Sequence, residues 1–592
     1  MNSKKKEIFL RYAPIIALFI TGILILAARN PDPILNPIVY AEDGTWTGQG
    51  LSNGWVYAIF NARHDYFVFL NIALLFFSTK ISLLATGSPI EILPESIAIT
   101  SLAFFSAVAT AVFAATNKIA PIVFRLALYL LLLLIPLGTT QNEIIGRILQ
   151  VGFYIPIISV LLLHFRENFP SKSQKYAIDF SLLLCAATNP VIFPLVALYL
   201  FRDFLKDYNF RACVKRNQTL VIPFFLLLAV LLPRMGGDGG IPGKFVISNF
   251  IEAIIARPIA YPFVFPWYGQ LSDGLSLVFF SIWLCLILFS YSISKNPTAR
   301  FLMLLLVATV VVYDLATILM RPGLTGFLSN YQKTFPDRYF MGLNALTIFL
   351  TIFALAQISI TKNIGYKVFS YFTLAIIIAI YASHPLDIFE KHASKLPLKG
   401  QFTFSEQVCL SEEIIDSSIS LIQIYPNLPN WKMAVPNKLI DKSNCKYTIL
   451  DDADLLETQH LYKTYATPQL NARSPIKILM TMSNRDNKVG VKRIGIRFGT
   501  NATKNSGEAD LHLTGSDGSA FVQRFSLSDL ADNEYRYFSL DSRHYISGKI
   551  VSVSGGGIAT WESRDDKANA NTCIIYEYNN GKRRPTPGCP PF

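Results

Sequence analysis

Three polar constellations in this chain carry side chains able to do chemistry. The first is Glu42–Asp43, adjacent carboxylates in NPIVYAEDGTWTGQG (36–50), with Arg63–His64–Asp65 close behind. The second is Asn142–Glu143 with Arg147, and the third is Asp337–Arg338–Tyr339. A carboxylate can take a proton from an attacking hydroxyl. An arginine can grip a departing phosphate as a two-pronged fork. Each set also has a plainer reading. Glu42–Asp43 can be the solvated end of a membrane helix, Arg63–His64–Asp65 a helix cap, and Glu143 a loop charge. Arg338 and Tyr339 can be an interfacial anchor and part of an aromatic belt. The choice depends on the elements that present these residues.

Those elements are membrane spans. The 592 residues are 52% hydrophobic and only 16% charged, with mean hydropathy +0.38, too apolar for a soluble chain of this length. Runs such as YAPIIALFITGILILAA and FRLALYLLLLLIPLG approach the roughly 20 residues that cross a hydrocarbon core of about 30 Å. The net charge of +13 would suit a nucleic-acid binder, but the basic residues gather at Lys4–Lys6, HFRENFPSKSQK and RDFLKDYNFRACVKR. The first precedes the opening span and the other two separate later ones, places where cytoplasmic charge collects, so no nucleic-acid partner is expected. The Lys-rich start shows no small-residue cleavage site and reads as an uncleaved signal-anchor.

The charged loops set the topology. The first span (13–28) leaves the cytoplasm. YFVFLNIALLFFSTKISLL, read as a second span, would turn every later basic loop outward. It is therefore expected to lie as an amphipathic helix on the outer surface, with Lys80 on its wet side. Spans follow at 94–116, 123–138 and 148–164, then a short pair turning at Thr188–Asn189–Pro190, then 219–233 and four more ending at 367–382. That is about eleven transmembrane helices. An odd total puts the C-terminal domain, and all three constellations, outside. GGDGG (236–240) lacks the Lys-Ser/Thr of a phosphate loop and reads as a hinge, and no His or Cys pair has zinc-site spacing.

Beyond residue 383 the chain reads as soluble. KRIGIRFGT, ADLHLTG, AFVQRFSL, YRYFSL and KIVSVSGG are short alternating runs between turn residues, the pattern of an all-β sandwich or jelly roll. The expected domains are a membrane domain at 1–383, with juxtamembrane helices within 29–93, a mixed segment at 384–480 and the sandwich at 481–592. Four of the 7 cysteines, Cys409, Cys445, Cys573 and Cys589, fall in the outer part. An oxidising compartment suits two disulfides there. Neighbours in sequence give Cys409–Cys445 and Cys573–Cys589.

An acidic pair after one span, surface helices before the second, and an Arg-Tyr pair at a late outer mouth resemble the GT-C membrane glycosyltransferases. YAEDGTW is similar to their acidic first-loop motif and DYFVFLNIALLF to the juxtamembrane helix after it. NWKMAVP and KRIGIRFGT resemble the β domain of many bacterial members, and the serotype-modifying O-antigen glucosyltransferases look like the nearest functional kin. The resemblance implies an inverting transfer of a sugar from undecaprenyl phosphate to a periplasmic hydroxyl of lipopolysaccharide O-antigen or another surface glycan. Glu42 or Asp43 would be the base, and Arg338, Tyr339 and Arg63 would bind the donor phosphate. Asp65, Glu143 and Asp337 would lie at the donor or acceptor site. NEIIGRILQVGFY departs from the Asn-aromatic run of many relatives. Some relatives use a divalent cation (Mg or Mn), although no carboxylate cluster demands one. The implied partners are the polyprenyl-phosphate-linked sugar donor, a lipid-linked glycan acceptor, membrane lipids, a flippase and a polyprenyl-phosphate glycosyl synthase. The implied place is the bacterial inner membrane, N-terminus cytoplasmic and C-terminal domain periplasmic.

Three other classes remain open. A lipid-linked oligosaccharide transporter should carry charges inside spans and internal repeats. An O-antigen polymerase or ligase should rest on a large late external loop. An adhesin would need only one span as an anchor.

Overall fold

The apolar runs do form helices. The computed structural model describes the chain except residues 1–2, 169–170, 235–243, 329–330, 332–336, 390–402, 410, 414–417, 426–430, 442–462, 472–473, 481–490, 501–504, 542–544, 565–569, 580–582, 587 and 590–592. The GGDGG run and Cys445 lie outside the described residues. In chain order the main helices are α1 (Ser3–Arg29), α2 (Ala41–Asn53), α3 (Phe69–Thr86), α4 (Leu93–Ala115), α5 (Ile122–Leu133), α6 (Ile155–Asn168), α7 (Lys172–Thr188) and α8 (Ile192–Asp207). They continue with α9 (Gln218–Leu231), α10 (Asp273–Ile293), α11 (Pro297–Met320), α12 (Asp337–Ser359) and α13 (Ile364–Ser383).

Among the described residues, eight helical stretches are long and apolar enough to cross a bilayer, or nine if Phe210–Arg216 and α9, bent by 89°, form one span. The chain is thus a multi-pass membrane protein with a C-terminal β domain. The eight include α3, the helix that charge placement assigns to the membrane surface. Four members of the expected set are shorter: α5, α7, α8 and, taken alone, α9 have 12, 17, 16 and 14 residues. The turn between α7 and α8 falls at Asn189 as the sequence predicts, with the Asn189 amide bonded to Cys185.

The chain divides into two compact units, each discontinuous in sequence. One comprises Met1–Leu35, Ile59–Ser78 and Ser96–Lys391; the other comprises Asn36–Ala58, Thr79–Glu95 and His392–Phe592.

In the first unit α12 is the central helix, buried on every side from Phe340 to Ser359. α1, α10 and α13 are mostly uncovered, as expected of helices whose solvent is lipid. The polar residues of α12 have partners: Trp283 donates to Thr351 Oγ1 (2.8 Å), and Asn344 and Thr347 bond neighbouring backbone. At one end of the bundle the last turn of α6 opens a second polar network. Arg166 holds Asp179 (2.6 Å) and Asn217 (2.7 Å), and Thr219 also donates to Asp179. Asn217 and Arg216 then hold Asp203, while Lys206 bridges Asp203 (3.2 Å) and Glu167 (2.8 Å). Arg202 lies 3.3 Å from Glu167.

The second unit is built on β-sheet. β1 (Glu412–Glu413), β2 (Ile419–Gln423) and β3 (Lys432–Pro436) form a small antiparallel sheet in that order. The sandwich strands are β4 (Lys463–Ala466), β5 (Ile476–Leu479), β6 (Val491–Gly499), β7 (Gly507–Gly515), β8 (Ala520–Ser526), β9 (Glu534–Ser539) and β10 (Tyr545–Gly555). They end with β11 (Ala559–Arg564), β12 (Ala570–Thr572), β13 (Ile574–Tyr578) and β14 (Arg583–Pro585). One sheet runs β5-β10-β7-β8; the other runs β12-β11-β6-β13-β14, with β4 on β11 and β9 on β6. Alternation gives the core: Ile494, Ile496 and Phe498 of β6 join Leu511, Leu513 and Ile550 in one buried cluster. The sandwich also draws on β4 and β5, which precede residue 481. Cys573 and Cys589 form the expected disulfide. Cys409 is disulfide-bonded.

Candidate functional site

The candidate residues fall in both compact units. In the first unit they cluster where α1 ends. Arg29, 2% exposed, donates to the carbonyls of Leu133 (2.7 Å) and Ile388 (3.0 Å) and to Gln141 Oε1 (3.0 and 3.1 Å). It satisfies backbone acceptors that helix ends leave open. It also fixes the short helix Gln141–Ile144, which carries Glu143.

α12 starts at this end with Asp337, Arg338 and Tyr339. Arg338 donates to Glu143 Oε2 at 2.5 Å and to the Tyr339 hydroxyl at 3.2 Å. Both members of the ion pair keep about a quarter of their side-chain surface exposed. The ring of Tyr339 is a platform: Arg338 sits 5.0 Å and Arg321 5.4 Å from its centroid, with Phe153 edge-on at 5.8 Å. Such cation–π seats hold a guanidinium without neutralising it. Arg321 directly follows α11 and is half-buried. Among the described residues it has no carboxylate partner and no side-chain hydrogen bond.

Asp337 points inward. It is 3% exposed and forms an ion pair with Arg257 Nη1. Arg257 is fully buried on a π-helical stretch, Glu252–Ala260, between Tyr268 (4.4 Å) and Tyr261 (5.2 Å). Glu252 lies 3.9 Å from Arg257 Nε and accepts from the Tyr268 hydroxyl (2.9 Å) and the Tyr331 amide (3.1 Å). The wide π turn follows from Pro258, which lacks an N–H and disrupts the α ladder. α12 meets the carbonyls around it: Asn344 donates to Arg257 O (2.6 Å), and Thr347 donates to Pro258 O (2.9 Å). Opposite, Gly138 has φ +54° and a Cβ there would overlap the Asp337 carboxylate, so only glycine fits.

Arg63 and Asp65 form a bidentate pair, 2.8 Å at both contacts, with Arg63 lying 4.8 Å from the Tyr66 ring centroid. Burial disfavours the Asp65 charge, but the Arg63 guanidinium outweighs it and holds the carboxyl below its ordinary range. Arg234 pins the loop by donating to Phe60 O (2.8 Å) and stacking on Phe67. His64 is exposed and Arg147 is buried.

In the second unit, Glu42 and Asp43 occupy the first turn of α2, an ordinary place for acids beside free amides. Glu42 is half-buried and Asp43 fully buried. Two features are not ordinary. Ala41, just before them, is left-handed at φ 43°, a strain of about 1 kcal/mol or more for a non-glycine residue. Its amide is held by Tyr425 O at 2.7 Å, and Tyr425 N returns a bond to Val39 O. α2 also presents Gly44 and Gly48, four residues apart, to the small sheet. A Cβ on Gly48 would lie 2.7 Å from the Ala434 amide nitrogen, and Ser52 Oγ donates to Ala434 O. The glycines of YAEDGTWTGQG thus let β3 lie directly on the helix and fix the turn that carries the acids.

Of the site residues picked from sequence, six therefore fall in one unit, Arg63, Asp65, Glu143, Asp337, Arg338 and Tyr339, and two, Glu42 and Asp43, in the other. The sequence pattern does not single out Glu252, Arg257 or Arg321. A signal was present for the first two, since FIEAIIARPIAYPFVF sets an acid and a base five residues apart in an apolar run, and such charges are rare unless used. Among the described residues no group of three or more His, Cys, Asp or Glu is arranged to hold a metal ion.

No family model matches the sequence, and no curated protein matches it. Among solved structures, the arabinosyltransferase EmbB from Mycobacterium smegmatis is similar over 94% of this chain, at 12% identity and a TM-score of 0.25. The chain spans 64% of the length of that protein.

Proposed function

We propose that this protein is an inverting glycosyltransferase of the bacterial inner membrane that moves a sugar from an undecaprenyl-phosphate carrier to a periplasmic acceptor hydroxyl. The acceptor would be lipopolysaccharide O-antigen or another surface glycan. The observation that carries the reading is the platform on Tyr339. One guanidinium, Arg338, is steadied by Glu143, and a second, Arg321, lies over the same ring with no acidic partner among the described residues. That arrangement suits a phosphate held between two arginines and an aromatic face.

In the reaction the acceptor oxygen attacks the anomeric carbon as the bond from that carbon to the phosphate oxygen breaks. The lipid phosphate leaves with the bonding electrons, and the hydroxyl proton passes to a carboxylate, Glu42 or Asp43. Arg321 and Arg338 stabilise the negative charge that develops on the leaving phosphate. Arg63, paired with Asp65, would be a further cation for the donor phosphate, and no nucleotide is needed for the transfer.

The experiment is to compare surface glycan from the native strain, a deletion, and strains carrying Glu42→Gln/Asp43→Asn or Arg321→Ala/Arg338→Ala. Both double variants should insert normally and reproduce the glycan of the deletion. A native glycan from stably inserted protein of either variant would end this reading. The placement is tested separately by labelling an engineered cysteine near residue 45 with an impermeant reagent in intact cells.

A further inference from the structure

Asp337 and Arg257 stand behind the phosphate platform, and their geometry points to a role beyond holding the bundle together. We infer that Arg257 is a positioning residue: through Asp337 it sets the direction in which Arg338 and Tyr339 leave the first turn of α12. The inference rests on the reading of that platform as a lipid-phosphate site. Asp337 is fixed from two sides, by the Arg257 ion pair and by the close apposition of Gly138. Arg338 and Tyr339 are the next two residues, so a rotation of Asp337 turns the platform with it. Arg257 is itself over-determined. Two tyrosine rings flank it, Glu252 stands 3.9 Å away, and Asn344 holds its carbonyl from the next turns of α12.

A stability role alone explains this poorly. A buried ion pair contributes little net stability, because desolvating both charges cancels most of their attraction. What it supplies is direction: a guanidinium and a carboxylate at 0% and 3% exposure have one geometry available. The π-helical stretch serves the same end, since its wider turn puts Arg257 at the depth of Asp337 and hands its free carbonyls to α12.

The test measures binding of undecaprenyl phosphate to the full-length protein in nanodiscs, with undecaprenol as the uncharged control. The variants are Arg257→Met/Asp337→Asn, which removes both charges and leaves neither stranded, and Arg257→Lys, which keeps one. The double variant should weaken undecaprenyl phosphate binding by about tenfold to a hundredfold, the scale on which a misplaced binding group acts, and leave undecaprenol unchanged. Arg257→Lys should recover binding to within about threefold of native, as a restored charge beside Asp337 implies. A double variant that melts lower but binds undecaprenyl phosphate as tightly as native would show a purely structural pair and overturn the inference. Arg338→Ala separates the two levels. If it abolishes binding while the double variant does not, only the positioning role fails. If Arg338→Ala binds like native, the platform is not a phosphate site and both claims fall.

Discussion

The two ends of the helical bundle handle charge differently. At the Arg166 end every cation in the network has a carboxylate: Arg166 with Asp179, Arg202 and Lys206 with Glu167, Arg216 with Asp203. Asn217, Tyr199 and Thr219 take up the remaining lone pairs and protons. At the Arg29 end Asp337 is paired with Arg257 in depth, but the layer above is less fully paired. Arg321 stands on Tyr339 without an acidic partner among the described residues. A closed network contributes rigidity and orientation. A half-buried cation left unneutralised beside it is where an anion would be expected. Charge density does not separate the two ends, since the Arg166 end is as charged; the completeness of pairing among the described residues does.

The comparison can be broken by experiment. The largest effect is expected from Arg321→Ala, which should lower sugar transfer by about a hundredfold or more, the usual cost of losing a donor to developing negative charge. Surface-glycan labelling in cells with matched protein levels would read it. The same loss from Arg202→Ala at the other end would erase the distinction. Next, Asp179→Asn should destabilise the folded protein by about 3–5 kcal/mol, because it strands buried Arg166. Thermal unfolding in detergent should show this, with undecaprenyl phosphate binding unaltered well below the melting point.

Gly138→Ala should act between these extremes. It meets both a left-handed backbone and the Asp337 carboxylate, so about 1–3 kcal/mol is expected, together with weakened lipid-phosphate binding. The smallest effect concerns Asp65. Its carboxyl is held below the ordinary value by Arg63, so the pair's stabilisation is fully present above about pH 4. It is lost only as pH falls through the lower folded value. Asp65→Asn should therefore cost about 1 kcal/mol or less at neutral pH, and protease cleavage of the 62–68 loop should be flat from pH 5 to 8 in the native protein. A cleavage rate rising near pH 6 would contradict the pairing.

Much of this architecture is visible in the chain itself. Apolar runs of bilayer length gave the helices, and alternation from KRIGIRFGT onward gave the sandwich core, because burial on one face writes a period into the sequence. The Cys573–Cys589 bond also follows from local spacing. The site is legible only in part. Glu143, Arg338 and Tyr339 stand out as polar groups beside spans, and the structure joins them. Arg257 and Glu252 do not stand out, because they sit in what reads as a long loop. Their partners Asp337 and Tyr331 come from residues 79 or 80 positions away in sequence.

What the sequence determined by itself is solvent: which segments belong in lipid, which in water, and which face of each strand is dry. That information is local, since a side chain's preference for water needs no partner. Which acid neutralises which base was decided only by tertiary structure. Arg338 found Glu143 across 195 residues, Asp337 found Arg257, and Arg321 found the ring of Tyr339. Coulomb energy depends on distance in space and on the water excluded between charges, and neither can be read along the chain.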